Sequence, residues 1–352
     1  MQGRYRKKNC LVGVNTMTEK PKSKSFREEV ADMFVKSLEE DPQAIFKGWD
    51  FSETGVPLNI STNVEYRGLN VLWLKMIEIT NGYGDPRWAT FKQINAMDLK
   101  LKKGSKGTKV EYYLPIDDEN NKAIKWDEYN KLSGQEKSSF YYDSYGLKKA
   151  KYVIRPRLFT VFNGSQVEGM PKLDIDITSN EINPSEIIKS ISEGMEVPIE
   201  STFNSNKAYY SPAEDKIHLP CKEQFYSDEE YNRTALHELG HSTGHPSRLD
   251  RDQTGSFGSE KYAFEELVAE ITSCFMSEYI SEPISEEIMD KHKGYVQSWI
   301  TAIKDDKNYL FRAIKAANKA SDYMVEKGDL KKIKHKERSV DKQINKKNKK
   351  IR

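Results

Sequence analysis

His237, Glu238 and His241 stand in the order H-E-L-G-H. In a helix this spacing places two imidazoles about one turn apart on the same face. Such a pair can hold one Zn²⁺ at ~2.0–2.1 Å, and a catalytic site keeps one further position open for water. The Glu238 carboxylate, next to the first ligand, can then take a proton as water attacks a carbonyl. Four of the six histidines fall between His218 and His245, which favours a metal site over a surface helix that merely carries two imidazoles.

Two histidines require a third protein ligand. The longer pattern H-E-x-x-H-x-x-G-x-x-H is kept through Gly244 but ends on Ser247. His245 continues the four-residue spacing, yet it lies two turns from His237 and reaches the same ion poorly. The other source is a glutamate on a later helix, in the run from Phe264 to Glu270, F-E-E-L-V-A-E. Glu265 and Glu266 flank its apolar sector alike. Glu266 is assigned as the third ligand because Glu270 follows four residues later and can orient a ligand imidazole; after Glu265 that place holds Ala269. Tyr209, Tyr210 and Tyr262 are candidates to hydrogen-bond a developing oxyanion. The strands carrying Tyr209–Pro212 and Lys216–Leu219 could offer an edge to an extended peptide.

The elements that must position these groups are legible in part. Ser227 and Glu230 form an S-x-x-E capping box that opens the motif helix, and Gly244 is placed to end it. Short strands are expected at 197–203, 209–212 and 216–219. Helices are expected at 184–193, around 264–275 and between 285 and 325. In the first half, apolar spacing predicts helices from Phe26 to about Pro42, over 69–80 and, after Pro86, over 88–97. Val110–Leu114 and Tyr152–Phe162 read as strands. The polar stretch 117–146 between them reads as a mobile insertion or long loop.

The 352 residues suggest about two domains at roughly 150 residues each. Hydrophobic residues make up 37% and charged ones 31%. That is leaner in apolar side chains than an average globular chain, so part of the sequence is expected to stay unpacked. A net charge of +2 conceals a division: +6 over 1–24, 0 over 25–168, −13 over 169–326 and +9 over 327–352. The expected organisation is therefore a basic flexible arm (1–24), a first domain (25–168), a linker (169–195), a metal-binding domain (196–326) and a basic tail (327–352). Basic ends attract polyanions. No apolar run is long enough to span a membrane, the best, Gly68–Ile77, being broken by Lys75. The five residues Cys10–Val14 are too few for a signal-peptide core. Cys10, Cys221 and Cys274 are too scattered for a disulfide framework. A cytoplasmic protein is expected.

The first domain has two basic and aromatic stretches, Lys100–Tyr113 and Lys148–Phe162. Cations that track phosphates and rings that stack on bases suit single-stranded nucleic acid, although core aromatics among solvated lysines would look similar. Motifs in both halves together resemble a known family. Tyr66-Arg67-Gly68-Leu69-Asn70, the run from Pro86 to Gln93, Lys103-Gly-Ser-Lys-Gly107, and Phe159–Asn163 with Gln166–Gly169 are similar to the N-terminal domain of ArdC-type antirestriction proteins. The stretch 210–217, the His237 motif with Thr243–Leu249, and Tyr262–Glu270 resemble their zincin-like domain.

The resemblance covers about residues 25–325. It implies an α+β chain in which a single-stranded-DNA-binding domain is joined to a zincin-like metallopeptidase domain. Proteins of this kind are carried by mobile elements and protect incoming DNA from restriction. By position, it offers Tyr66, Arg67, Asn70, Trp73, Trp88, Gln93, Lys103 and Lys106 as DNA-facing residues; Trp73 and Trp88 could equally be core. Zinc is the expected metal, and the protein or peptide substrate is left open. Two other readings compete. In one, a non-enzymatic protein protects DNA and its metal only holds the second half together. In the other, the basic arms are the true nucleic-acid binders.

Overall fold

The computed structural model describes residues 24–41, 55–171, 183–203, 205–256, 258–280 and 293–331. The expected arm at 1–24 and the tail beyond residue 331 lie almost wholly outside them, as do 172–182 of the expected linker. Helix α1 (Phe26–Glu40) starts at a capping box in which the Ser25 hydroxyl accepts from the Glu28 amide and the Glu28 carboxylate accepts from the Ser25 amide. Strands β1 (Leu58–Asn59) and β2 (Val64–Glu65) lead into helix α2 (Leu69–Asn81). Gly82, with φ of 64°, caps α2 in the left-handed conformation, which glycine adopts at no steric cost.

Strand β3 (Arg87–Thr90) and helix α3 (Phe91–Ala96) replace the single helix expected over 88–97. The reason is a second capping box. The Gln93 amide donates to the Thr90 hydroxyl, and the Gln93 side-chain oxygen accepts from the Thr90 amide at 2.9 Å. The helix therefore begins only after Thr90, and Trp88 stays extended. Next come β4 (Lys100–Leu101), β5 (Thr108–Asp117), β6 (Lys122–Ala123), α4 (Trp126–Lys131), α5 (Gly134–Lys137), β7 (Phe140–Tyr142), β8 (Lys148–Ala150), β9 (Tyr152–Asn163) and β10 (Val167–Glu168). The stretch expected to be a mobile insertion or long loop is thus built of two short helices and a β7–β8 hairpin. It is tied to β5 by the Trp126 indole, which donates to Tyr113 O at 3.1 Å, and braced internally by the Tyr141 hydroxyl, which donates to Asp118, just past β5, at 2.9 Å.

The main sheet runs β2-β1-β3-β9-β5-β6, antiparallel except for β1 beside β3. Its long element is the β5–β9 ribbon, paired from Thr108 opposite Val161 to Asp117 opposite Tyr152.

The second half comprises α6 (Pro184–Met195), β11 (Ile199–Thr202), β12 (Tyr209–Ser211), β13 (Lys216–Pro220), α7 (Asp228–Ser242), α8 (Glu260–Ile280), α9 (Lys293–Asp305) and α10 (Asn308–Lys327). Its small sheet has the order β11-β13-β12, leaving β12 at an edge. One apolar cluster packs Ile191 of α6, Ile217 of β13, Leu236 and Leu239 of α7 and Met276 of α8. A larger one joins the two halves. Phe26 and Phe34 of α1, Leu72 of α2 and Trp88 of β3 pack with Leu267 and Ile271 of α8, Trp299 of α9 and Leu310 of α10. Fully burying each such side chain contributes about 1.5–3 kcal/mol, so α8 is held from both halves. Mixed helix and strand, as expected, is the architecture observed. Among the described residues no helix is long and apolar enough to cross a membrane.

Candidate metal centre

Helix α7 opens where the Ser227 hydroxyl accepts from the Glu230 amide at 3.2 Å. Its apolar face, Leu236 and Leu239, enters the core. The opposite face turns His237, Glu238 and His241 into a cleft of about 790 Å³. Helix α8 lines the same cleft with Glu265, Glu266 and Glu270, and α7 packs directly on α8. The Nε2 atoms of His237 and His241 are 3.0 Å apart. Glu266 places one carboxylate oxygen 3.6 Å from His237 Nε2 and the other 3.5 Å from His241 Nε2. One ligand atom from each of the three residues falls within 4.8 Å of the others. Ligands at ~2.0–2.1 Å in a tetrahedron lie roughly 3.3 Å apart; the observed spacings match that size, so these residues fit a divalent ion.

The surrounding carboxylates orient the rings. His237 Nδ1 lies 3.0 Å from Glu270, the relationship expected from the four-residue offset of Glu270 from Glu266. His241 Nδ1 lies 3.4 Å from Glu265, a role that helical spacing alone does not assign to that residue. Burial lowers the proton affinity of both imidazoles, but the carboxylates outweigh it. Glu270 and Glu266 hold His237 well above its ordinary value, and Glu265 and Glu266 push His241 up to about 9. Burial raises Glu266, yet hydrogen bonds to His237 and His241 bring it well below the usual carboxylate range. A concentrated negative site that draws protons onto two imidazoles is one a cation can occupy in their place.

The remaining candidates separate. The Tyr210 hydroxyl is committed to Asp215, to which it donates at 2.7 Å, and it accepts from Arg248 at 3.1 Å. It is therefore not free for an oxyanion. Tyr209 stacks on His218 at 4.8 Å between ring centres, and Tyr262 lines the cleft. His245 hydrogen-bonds Ser247 and lies outside the ligand group.

Comparison with known proteins agrees with both halves. Residues 24–161 match the profile of the N-terminal domain of the anti-restriction factor ArdC, and residues 188–316 match that of a zincin-like metallopeptidase, MPTase-PolyVal. The crystal structure of the antirestriction ArdC protein from the R388 plasmid in its metal-free form superposes with a TM-score of 0.68 at 29% identity, covering 87% of this chain and 98% of that one. The chain joins an ArdC-type N-terminal domain to a zincin-like metallopeptidase domain.

The Mn(II)-bound structure of the R388 ArdC protein gives a TM-score of 0.66 at the same identity and coverage. Two Escherichia coli proteins named DNA primase TraC are 36% identical over 86% of this chain, which spans only 27% and 20% of their lengths. The y4eC protein of Sinorhizobium fredii is 28% identical over 84% of this chain and 90% of its own.

In this chain most of the residues carried over as DNA-facing serve the fold. Trp88 is 0% and Trp73 7% exposed, so neither indole can stack on a base; the Trp73 indole donates to Lys109 O at 2.9 Å. Asn70 donates to Glu111 O at 2.7 Å and accepts from Glu111 N at 3.0 Å, pinning α2 to β5. Gln93 caps α3 and hydrogen-bonds Asn59. Tyr66 is half-buried against the core, and Arg67 pairs with Asp322 of α10. Lys103 and Lys106 are exposed. One face of the ribbon does present exposed aromatic and cationic side chains, while Tyr113, 44% exposed, lies on the other. Tyr112 is 50% and Phe159 40% exposed, with ring centres 6.2 Å apart, and Arg157 lies opposite Tyr112.

Proposed function

We propose that this protein is a single-stranded-DNA-binding antirestriction factor of a mobile genetic element that carries a zinc-dependent peptidase site and works in the cytoplasm of the cell the element enters. The observation that carries the peptidase reading is the convergence of His237, His241 and Glu266 at the floor of an open cleft, with Glu238 beside them. Zinc held by these residues would acidify water and polarise a substrate carbonyl. Glu238, buried on the cleft wall, accepts the proton of the attacking water on its carboxylate and returns it to the departing amine nitrogen. Glu265 and Glu270 hold the two imidazoles with their Nε2 atoms turned inward. Strand β12, at the sheet edge and on the cleft wall, offers backbone groups to an extended peptide.

The DNA reading is supported by the ArdC-type first half and by the ribbon, where Tyr112 and Phe159 supply faces for stacking and Arg157 supplies charge. Lys103 and Lys106, exposed on the turn before β5, supply further positive charge. The plasmid-borne ArdC structure and the TraC primases support a mobile-element setting.

A substrate trap tests the peptidase reading. Glu238→Gln protein, incubated in cell extract with and without single-stranded DNA, is expected to retain a protein that the wild type cleaves. Wild-type protein that cuts nothing, together with metal removal that unfolds residues 196–325, would favour a purely structural metal.

A further inference from the structure

We propose that Arg251 and Gln253 are positioning residues of the metal centre, fixing His241 through the carboxylate of Glu265; the inference rests on the reading of His237, His241 and Glu266 as ligands. Glu265 is buried and faces His241 Nδ1. Arg251 grips both of its oxygens, Nε donating to Oε2 at 2.9 Å and Nη2 to Oε1 at 2.5 Å, while the Gln253 amide donates to Oε1 at 3.1 Å. The same two side chains reach back to the last turn of the helix that bears the ring. Arg251 donates to Gly240 O at 2.9 Å and to the Thr243 hydroxyl at 2.6 Å, and Gln253 donates to His241 O at 2.7 Å. Carboxylate and imidazole are therefore clamped to each other from both ends.

Space is kept for this clamp. A Cβ on Gly244 would lie 2.7 Å from the Gln253 amide and 3.0 Å from the Arg251 guanidinium, so any side chain there would displace them. There is also an electrostatic reason for the guanidinium. Glu238, Glu265, Glu266 and Glu270 are all buried around one cleft, and an unpaired carboxylate in such a place is costly. Arg251 neutralises the carboxylate of Glu265, and so keeps it available as an acceptor for His241 Nδ1–H.

The test uses the full-length protein and reads the zinc dissociation constant by chelator competition and the visible d–d spectrum of the cobalt-substituted form. The expected result for Arg251→Met is zinc binding weakened about 10- to 100-fold, the usual cost of losing a group that orients a ligand, with an altered cobalt spectrum. Arg251→Lys should recover part of the affinity. If the metal-free Arg251→Met protein is unfolded, Gln253→Ala, which removes one neutral amide and its two donated hydrogen bonds, takes its place and is expected to weaken zinc several-fold. Wild-type zinc affinity and an unchanged cobalt spectrum in a folded variant would overturn the clamp. A wild-type protein that binds neither zinc nor cobalt would instead overturn the ligand assignment beneath it.

Discussion

His237 Nδ1 lies 3.0 Å from Oε1 of Glu270, one turn along α8 from Glu266, whose carboxylate faces the other nitrogen of the same ring. One helix thus carries both the acid that would share an ion with His237 and the acid that turns the imidazole toward it. The expected consequence is a graded response. Glu266→Gln should abolish tight zinc binding, and Glu270→Gln should weaken it about 10- to 100-fold. Isothermal titration of the two variants checks the order, and equal losses would argue against distinct roles.

Proton and metal would compete for the same imidazoles. The His241 ring is pushed up to about 9 by Glu265 and Glu266, against burial, from an unfolded value near ~6.5. A group raised in this way stabilises the metal-free fold fully below that unfolded value, and the contribution is lost as pH rises toward 9. Zinc requires the neutral ring, so its apparent affinity should grow across the same window. Thermal unfolding at several pH values, with chelator and with zinc, is expected to show the metal-free Tm falling and the zinc-induced increment rising between about pH 6.5 and 9. Parallel trends in the two series would contradict the pairing.

Trp88 and Tyr112 should behave in opposite ways. Trp88 is fully buried in the cluster that joins the halves, so Trp88→Ala should cost about 3–5 kcal/mol of stability without a specific effect on DNA. Tyr112→Ala and Phe159→Ala should leave unfolding almost unchanged and weaken single-strand binding by about 1–3 kcal/mol for each base that stacks there. Fluorescence anisotropy beside denaturant unfolding separates the two. Lys103→Ala or Lys106→Ala should lower the salt slope by about 0.7 for each phosphate that the protein no longer neutralises.

Asn70 has a structural part that a DNA assignment would not explain. Both of its amide hydrogen bonds close on the backbone of Glu111, so Asn70→Ala strands a donor and an acceptor at the α2–β5 junction. A loss of about 1–3 kcal/mol is expected, read by denaturant unfolding. No loss would mean that water replaces the amide there.

Local chemistry makes both helices of the site readable: on α7 a serine N-cap and two histidines at one-turn spacing, and on α8 a carboxylate four residues beyond Glu266. The strand at Trp88 is masked in the sequence because Pro86 resembles a helix start, although Thr90 and Gln93 already spell the later capping box. The 117–146 stretch looks unpacked in sequence because its polar residues hide single anchors such as Trp126 and Tyr141. Spacing does not reveal Arg251 and Gln253, since they act on Glu265 across a loop and carry no periodicity. Burial likewise separates Trp73 and Trp88 from Tyr112 and Phe159, and aromatic content alone does not report it.

His237, His241 and Glu266 would share one ion. Zinc-loaded crystals measured at the zinc absorption edge test it most directly. The expected result is a single anomalous peak about 2.0–2.2 Å from both Nε2 atoms and a Glu266 oxygen. A peak at other residues, or none in fully loaded protein, would contradict the account.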